Sequence, residues 1–174
     1  MQRIAILGAG GAGKTVLARR LGALLNLPVI HLDQLRYDSD WNVIPEEDFL
    51  TAQRTAVAGN QWVIDGNSLA SLPIRAAAAD TVVVLDPHPL TCLGGVTTRS
   101  LCYGGGQHAD GVYVRITWEF LRYVISYRRK ILPGVFGVLD EHAGHATVLH
   151  LTSRRDADQL VSDIGDRACE AGHP

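Results

Sequence analysis

Short apolar runs alternate with longer amphipathic stretches along most of the chain. Residues 3–7 (Arg-Ile-Ala-Ile-Leu) read as a first strand, and residues 14–25 carry Val16, Leu17, Leu21, Leu24 and Leu25 at helical spacing on one broad face. Residues 28–32 read as a second strand ending in Asp33. Pro45 stands just ahead of Glu46 and Glu47, which suits a helix start with acidic groups at the positive end of the dipole, so a helix is predicted over 46–58, stopped by Gly59. A third strand is predicted at 61–65, where Gly66-Asn67 turns out of it, a fourth at 81–85, and a last one at 146–151. Ser153 then caps a helix running to about residue 171. Five strands alternating with helices predict an α/β fold with a parallel sheet.

One stretch departs from this regularity. Residues 101–111 contain Gly104, Gly105 and Gly106 in succession, a backbone of low intrinsic order. An arginine-bearing helix is predicted from about 112 to 131, broken by Pro133 and Gly134. The glycine-rich stretch reads either as a flap between two helices or as an ordinary surface connection.

Composition narrows the function classes. With 174 residues, 47% of them hydrophobic and 20% charged, the chain is expected to fold as a single domain over 1–174, and a mainly disordered state is excluded. Sixteen basic against 18 acidic residues give a net charge of −2, which counts against nucleic-acid binding through a bulk positive field. No apolar run approaches the roughly 18 residues of a membrane span, so no membrane partner is expected. The first residues lack a signal-peptide cleavage pattern, and Cys92, Cys102 and Cys169 are odd in number with no Cys-x-x-Cys pair, so free thiols and a cytoplasmic location are expected.

The chemistry is carried by residues 8–15. Gly8, Ala9, Gly10, Gly11, Ala12, Gly13, Lys14 and Thr15 fit the phosphate-binding pattern G-x-x-x-x-G-K-[ST], directly after a strand and opening a helix. Glycines let backbone N–H groups point inward around a polyphosphate, and the helix start, from Lys14 through Val16, offers further N–H donors and a favourable dipole. Lys14 is expected to bridge the β- and γ-phosphates of ATP, and Thr15 to place its hydroxyl on Mg²⁺. Given the residue counts of this chain, the pattern would arise by chance about 0.002 times in a sequence of this length. The same residues contain a dinucleotide fingerprint, Gly8-x-Gly10-x-x-Gly13, with Asp33 where a ribose-binding acid would sit, and that weaker pattern is expected by chance about 0.2 times. Lys14 and Thr15 have no role in the dinucleotide motif, and the sheet is short for two mononucleotide halves. Triphosphate binding is therefore the leading reading.

On these residues the chain resembles the adenylate-kinase-related P-loop kinases, and in particular the group known as DNA topology modulation protein (FlaR)-type kinases. The matching segments are residues 8–15, 17–21, 28–33 (Pro-Val-Ile-His-Leu-Asp), 62–67 (Trp-Val-Ile-Asp-Gly-Asn), 79–86, and a helix with Phe120-Leu121-Arg122-Tyr123 and Tyr127-Arg128-Arg129. The resemblance implies a P-loop NTPase of nucleoside-monophosphate-kinase-like fold, with a five-stranded parallel sheet in the order 2-3-1-4-5 flanked by helices. It implies an acceptor-binding segment at about 34–60 and a lid at about 99–115. It also implies ATP and Mg²⁺ as cofactors, and γ-phosphoryl transfer to a small-molecule acceptor; a nucleoside, nucleotide or similar hydroxyl compound is the leading expectation, with a sugar- or antibiotic-type hydroxyl as the alternative. Lids of such kinases are rich in arginine and lysine, whereas residues 101–111 hold neither, with Arg99 just before and Arg115 just after. That departure keeps a second reading open, a nucleotide-binding regulator with little turnover, beside the dinucleotide-binding protein.

Further roles follow from positioning and charge neutralisation, the main needs of phosphoryl transfer. Asp65, ending an apolar strand, is expected either to hold Mg²⁺ as a Walker-B-type acid or to cap the Gly66-Asn67 turn. Asp33 either takes or orients the proton of the acceptor hydroxyl or caps a helix. Arg99, Arg122, Arg128 and Arg129 are candidate phosphate clamps, with a solvated face as the alternative for the last two. Arg36 and Arg75 are candidates for an anionic group on the acceptor, and Asn67 is placed with the substrate. At the period of two of a strand, His31 and Asp33 share a face, so His31 reads either as half of a His–Asp pair lining one pocket or as a satisfied core histidine. Trp41, Trp62 and Trp118 are expected in the core or in cleft walls, with Trp41 the candidate for stacking on a base.

Overall fold

The computed structural model describes residues 1–38, 40, 42–103 and 117–171. Its strands are β1 (Arg3–Gly8), β2 (Val29–His31), β3 (Trp62–Asp65), β4 (Thr81–Leu85) and β5 (Thr147–Leu151). Its helices are α1 (Lys14–Leu25), α2 (Glu46–Val57), α3 (Leu72–Ala78), α4 (Pro89–Tyr103), α5 (Trp118–Lys130), α6 (Leu132–His142) and α7 (Arg154–Ala171), with a short 3-10 helix at Leu32–Arg36. All strand pairs are parallel, in the order β2-β3-β1-β4-β5. The parallel sheet of five strands is the one read from the sequence, and its order is the one the resemblance implies.

The three central strands are apolar almost throughout because both faces are covered, as parallel sheets require. Ile4, Ile6, Leu7, Val63, Ile64, Val82 and Val83 are all buried. The connection through α1 runs from β1 across β3 to β2, and the one through α3 runs the opposite way, from β3 across β1 to β4. Right-handed crossovers therefore place α1 and α3 on opposite faces. On the first face α1 packs on β1 and β3 and against α7; on the second, α3 packs on β1 and against α6, which meets α5, which meets α4. No described helix is long and apolar enough to cross a membrane.

Three expectations need correction. Strand β2 ends at His31, not beyond it: Leu32 opens the 3-10 helix and packs its side chain against Gly66, where a Cβ would stand 2.2 Å from that of Leu32. Gly66 also has φ +148, a conformation that side-chain-bearing residues rarely adopt, so the turn out of β3 and the end of β2 lock together. The period of two thus stops at His31, which is buried, while Asp33 lies exposed in the first turn of the 3-10 helix; the two do not share a face. Second, Pro133 does not merely break a helix. It occupies the first turn of α6, where its missing N–H costs nothing. Third, Trp118 is neither core nor wall but 76% exposed at the start of α5, whereas Trp62 is core. Trp41, residues 104–116 with Arg115, and the side chain of Arg99 lie outside the described residues. The predicted start of α5 near 112 falls among them; the described helix begins after Thr117, whose hydroxyl accepts the Phe120 N–H at 3.1 Å. Ser153 does cap α7, reciprocally with Asp156: its hydroxyl accepts the Asp156 N–H at 3.2 Å, and Asp156 accepts the Ser153 N–H at 2.9 Å.

Candidate functional site

A parallel sheet brings all of its strand ends to one edge. Register places Gly8 beside Leu85, Ile6 beside Asp65 and Asp65 beside His31. The glycine-rich loop, the Asp65 carboxylate, His31, Asn67 and Asp86 therefore converge although they are scattered along the chain.

The loop between β1 and α1 bends tightly, with Gly11 at φ +77 and Gly13 at φ +101. It also lies flat on α4: a Cβ at Gly11 would stand 2.1 Å from the Cys92 carbonyl oxygen. From α5, the Phe120 ring closes over Gly10. From α7, an Arg154 guanidinium nitrogen donates to the carbonyls of Gly11 and Thr91, each at 3.4 Å. Lys14 curls back over the loop, where its Nζ donates to the carbonyl oxygens of Gly8 at 2.9 Å and Ala9 at 3.0 Å. The amides opening α1, at Lys14, Thr15 and Val16, precede the first intrahelical bond, donated by Leu17 to Gly13 at 3.0 Å. A loop of this shape can receive a polyphosphate with its N–H groups and the lysine.

Beside it, the Thr15 hydroxyl donates to Asp65 Oδ2 at 2.8 Å, and the other carboxylate oxygen, Oδ1, meets His31 Nδ1 at 2.5 Å. Asp65 is 4% exposed and His31 9%. A hydroxyl and a carboxylate are hard oxygen donors of the kind Mg²⁺ takes, completed by water and phosphate oxygens. Thr15 and Asp65 thus fit the metal expected from the sequence.

Asn67 follows the turn and spends both ends of its amide on α5. Its Nδ2 donates to the Tyr123 hydroxyl at 2.5 Å, and its Oδ1 accepts from Tyr127 at 3.2 Å. Burial pushes both phenols above the usual tyrosine range, against the opposing effect of the Asn67 bond. At the end of β4, the buried Asp86 accepts from Arg128 Nε at 3.0 Å and lies 3.3 Å from His150 Nε2. Burial raises the Cys92 thiol, which the positive charges of Lys14 and Arg154 partly offset, so both cations lie near α4 at the loop.

The residues expected to hold an acceptor are spread differently. Arg75 is 0% exposed; its guanidinium donates to Gln53 at 2.5 Å, Ser71 at 3.2 Å and the Ser68 carbonyl at 3.3 Å, while its Nε has no hydrogen-bond partner. Burial lowers it to about 10, and the charge of Asp33 pulls the other way. Asp33 is thus exposed with Arg75 behind it, inside the fold. Arg36 pairs with Glu46 at 2.5 Å and stacks over the Phe49 ring at 4.7 Å. Arg122 and Arg129 are exposed on α5, and Arg128 is held by Asp86. The structure brings together Lys14, Thr15 and Asp65; Asn67, just beyond them, spends its amide on Tyr123 and Tyr127, and neither Arg36 nor Arg75 joins the loop. Sequence reasoning missed His31 as the partner of Asp65, the tyrosine pair on Asn67, and Arg154 on the loop. Only strand register, read in three dimensions, could have found the first.

No protein-family model matches the sequence, and no curated protein matches it significantly. Solved structures do. Shikimate kinase from Acinetobacter baumannii, in complex with shikimate, superposes with a TM-score of 0.59 at 20% identity, covering 100% of this chain and 96% of that one. A sugar kinase from Janibacter sp. HTCC2649 gives 0.54 at 16% identity, over 94% of this chain and 91% of that one. With the sheet order and the loop, these likenesses show the α/β fold of the P-loop kinases.

Proposed function

We propose that this protein is an ATP- and Mg²⁺-dependent phosphotransferase acting on a hydroxyl of a small molecule, a nucleoside, nucleotide or similar compound. The observation that carries the reading is the Thr15 hydroxyl 2.8 Å from Asp65 at the end of a glycine-rich loop crossed by Lys14. Lys14 would leave its two carbonyls for the β- and γ-phosphates, and the loop amides from Gly8 through Val16 would cradle the nucleotide phosphates. Thr15 and Asp65 would hold Mg²⁺, which neutralises phosphate charge. Asp33, exposed at the same sheet edge, would accept or orient the proton of the attacking hydroxyl. Residues 34–60 would form the acceptor side, with Arg36 freed from Glu46, while Arg75, fully buried on Gln53, Ser71 and Ser68, would brace that side rather than meet the acceptor; residues 99–115 would form the lid, with Arg99. Arg122 would clamp phosphate from α5, and Arg128, held at Nε by Asp86, would offer its remaining guanidinium N–H groups. The motifs quoted above favour the FlaR-type group within the adenylate-kinase-related kinases. The named activities of the structural neighbours, on shikimate and on sugars, support a hydroxyl acceptor of small size.

The dinucleotide alternative is disfavoured by topology. Strand β3 lies between β1 and β2, so Asp33 does not sit on the strand beside the loop, where a ribose-binding acid would stand.

The test is ADP release from Mg-ATP with pooled nucleosides, nucleoside monophosphates and small sugars, beside Lys14→Ala. A pool that stimulates release in the wild type and not in the variant establishes a kinase and its acceptor class. Tight ATP binding with no stimulated release by any pool would favour the regulator. Equal ATP affinity and turnover in Lys14→Ala would overturn the reading.

A further inference from the structure

His31 is not explained by nucleotide binding alone. It stands directly beside Asp65 in the parallel ladder between β2 and β3, so imidazole and carboxylate leave the sheet on the same side. The pair is buried at a 2.5 Å separation. With Asp65 as the carboxylate that a metal ligand must be, the geometry is that of an Nδ1–H donating to Oδ1. The other oxygen, Oδ2, faces Thr15. The strand ends at His31, and Leu32 is wedged against Gly66, the residue after Asp65, so the register that makes the pair is fixed from the next position on both strands.

We propose that His31 is a positioning residue that restricts Asp65 to giving one oxygen to a cation, and so tunes the site toward Mg²⁺ and against Ca²⁺. The inference rests on the nucleotide and metal reading above and deepens it. Mg²⁺ demands octahedral geometry and keeps several waters, and one carboxylate oxygen suits it. Ca²⁺ takes six to eight oxygens and commonly uses a carboxylate in bidentate fashion. An imidazole N–H on Oδ1 opposes the bidentate mode and holds Oδ2 toward Thr15. Hydrogen-bond partners of metal ligands commonly contribute about 10- to 100-fold to metal affinity.

The experiment is calorimetric titration of a non-hydrolysable ATP analogue into the wild type, His31→Leu and His31→Asn, each with EDTA, Mg²⁺ or Ca²⁺. The expected result is a strong Mg²⁺ enhancement of affinity in the wild type and a weaker one with Ca²⁺. In His31→Leu the Mg²⁺ enhancement falls about tenfold and the Mg²⁺ to Ca²⁺ preference shrinks, while metal-free affinity holds. His31→Asn, whose amide can donate from near the Nδ1 position, retains most of the preference. A role in packing alone would leave the preference of His31→Leu at the wild-type value, and that result overturns the proposal. So does an Asn variant that falls as far as Leu. Imidazole ¹⁵N shifts of the wild type supply a test that needs no variant: protonated Nδ1 is expected, and a neutral ring protonated only at Nε2 overturns the proposal. A wild type with no metal-dependent nucleotide binding would bring down the kinase reading itself, which separates the two failures.

Discussion

The Phe120 ring closes over Gly10 so tightly that a Cβ at position 10 would stand 2.5 Å from its ζ-carbon. The helix that follows residues 104–116 is thereby seated on the glycine-rich loop. Gly10→Ala forces the tip of a half-buried ring to swing aside, so the cost is expected near the low end of overpacking, about 1 kcal/mol. Nucleotide affinity and Tm are both expected to fall. Phe120→Leu frees the space, so the double variant should recover part of the loss, with a coupling of about 0.5–1 kcal/mol in a double-mutant cycle. Additive losses would show that the contact does not transmit strain to the loop.

Removing the hydroxyl beside Asp65 tests the metal site directly. Thr15→Val keeps the shape of the side chain but not the donor to Oδ2. Nucleotide affinity without metal is expected to change little, while the enhancement by Mg²⁺ should fall at least about tenfold. Thr15→Ser should restore it. Fluorescence titration of a labelled nucleotide at varied Mg²⁺ reads both quantities.

The Tyr127 phenol gives a signature in alkali. Burial holds its folded pKa above the ordinary tyrosine value of 10.0, so the folded state keeps a proton that the unfolded chain loses. The stability linked to this proton is complete below pH about 10 and is lost as pH rises through and above it. Urea unfolding between pH about 7 and 10.5 should show a decline in the wild type that is shallower in Tyr127→Phe. The variant should also lose about 1 kcal/mol at neutral pH with its bond to Asn67.

Asp80 acts at the acid end. Burial pushes its carboxyl up, but bonds from the Gln2 and Arg3 amides at 2.9 Å and the Thr81 hydroxyl at 2.8 Å outweigh that and hold it below the ordinary 3.8. Its contribution is present above that value and is lost as pH falls through the folded one. Asp80→Asn should unfold more easily at neutral pH, by about 1 kcal/mol, and lose less on acidification than the wild type does. Parallel acid titrations followed by circular dichroism would show curves that converge; a constant offset down to pH about 2 would refute the assignment.

Much of this architecture is legible in the sequence, for identifiable reasons. Strands β1, β3 and β4 are apolar runs bounded by turn residues because both faces of the sheet are covered, and the loop is readable because its lysine and threonine sit at fixed offsets from glycine. Other features depend on contacts distant in sequence. The end of β2 is set by Leu32 lying against Gly66, which no local pattern encodes. Helix α3 is short and carries three alanines, and α6 contains Pro133, Gly134 and Gly137, so both have weak local signatures. Arg75 looks like a surface cation until Gln53, in a different helix, is placed against it. The His31–Asp65 pair requires the register of two strands that lie far apart in the chain.

The placement of β1 at the middle of the sheet has a consequence for synthesis. Its two neighbours, β3 and β4, lie well downstream, as does Arg154, which reaches the Gly11 carbonyl from α7. During translation α1 follows the first strand and its loop at once, but β3, β4 and the helices that touch the loop emerge only later. A nascent chain arrested before β4 therefore carries the whole phosphate-binding motif on a strand that has β3 but lacks its other neighbour, and on a loop without its contacts to α4, α5 and α7. If the loop takes a nucleotide as proposed, that competence is expected only late in synthesis, once β4 and the helices that touch the loop have joined the first strand.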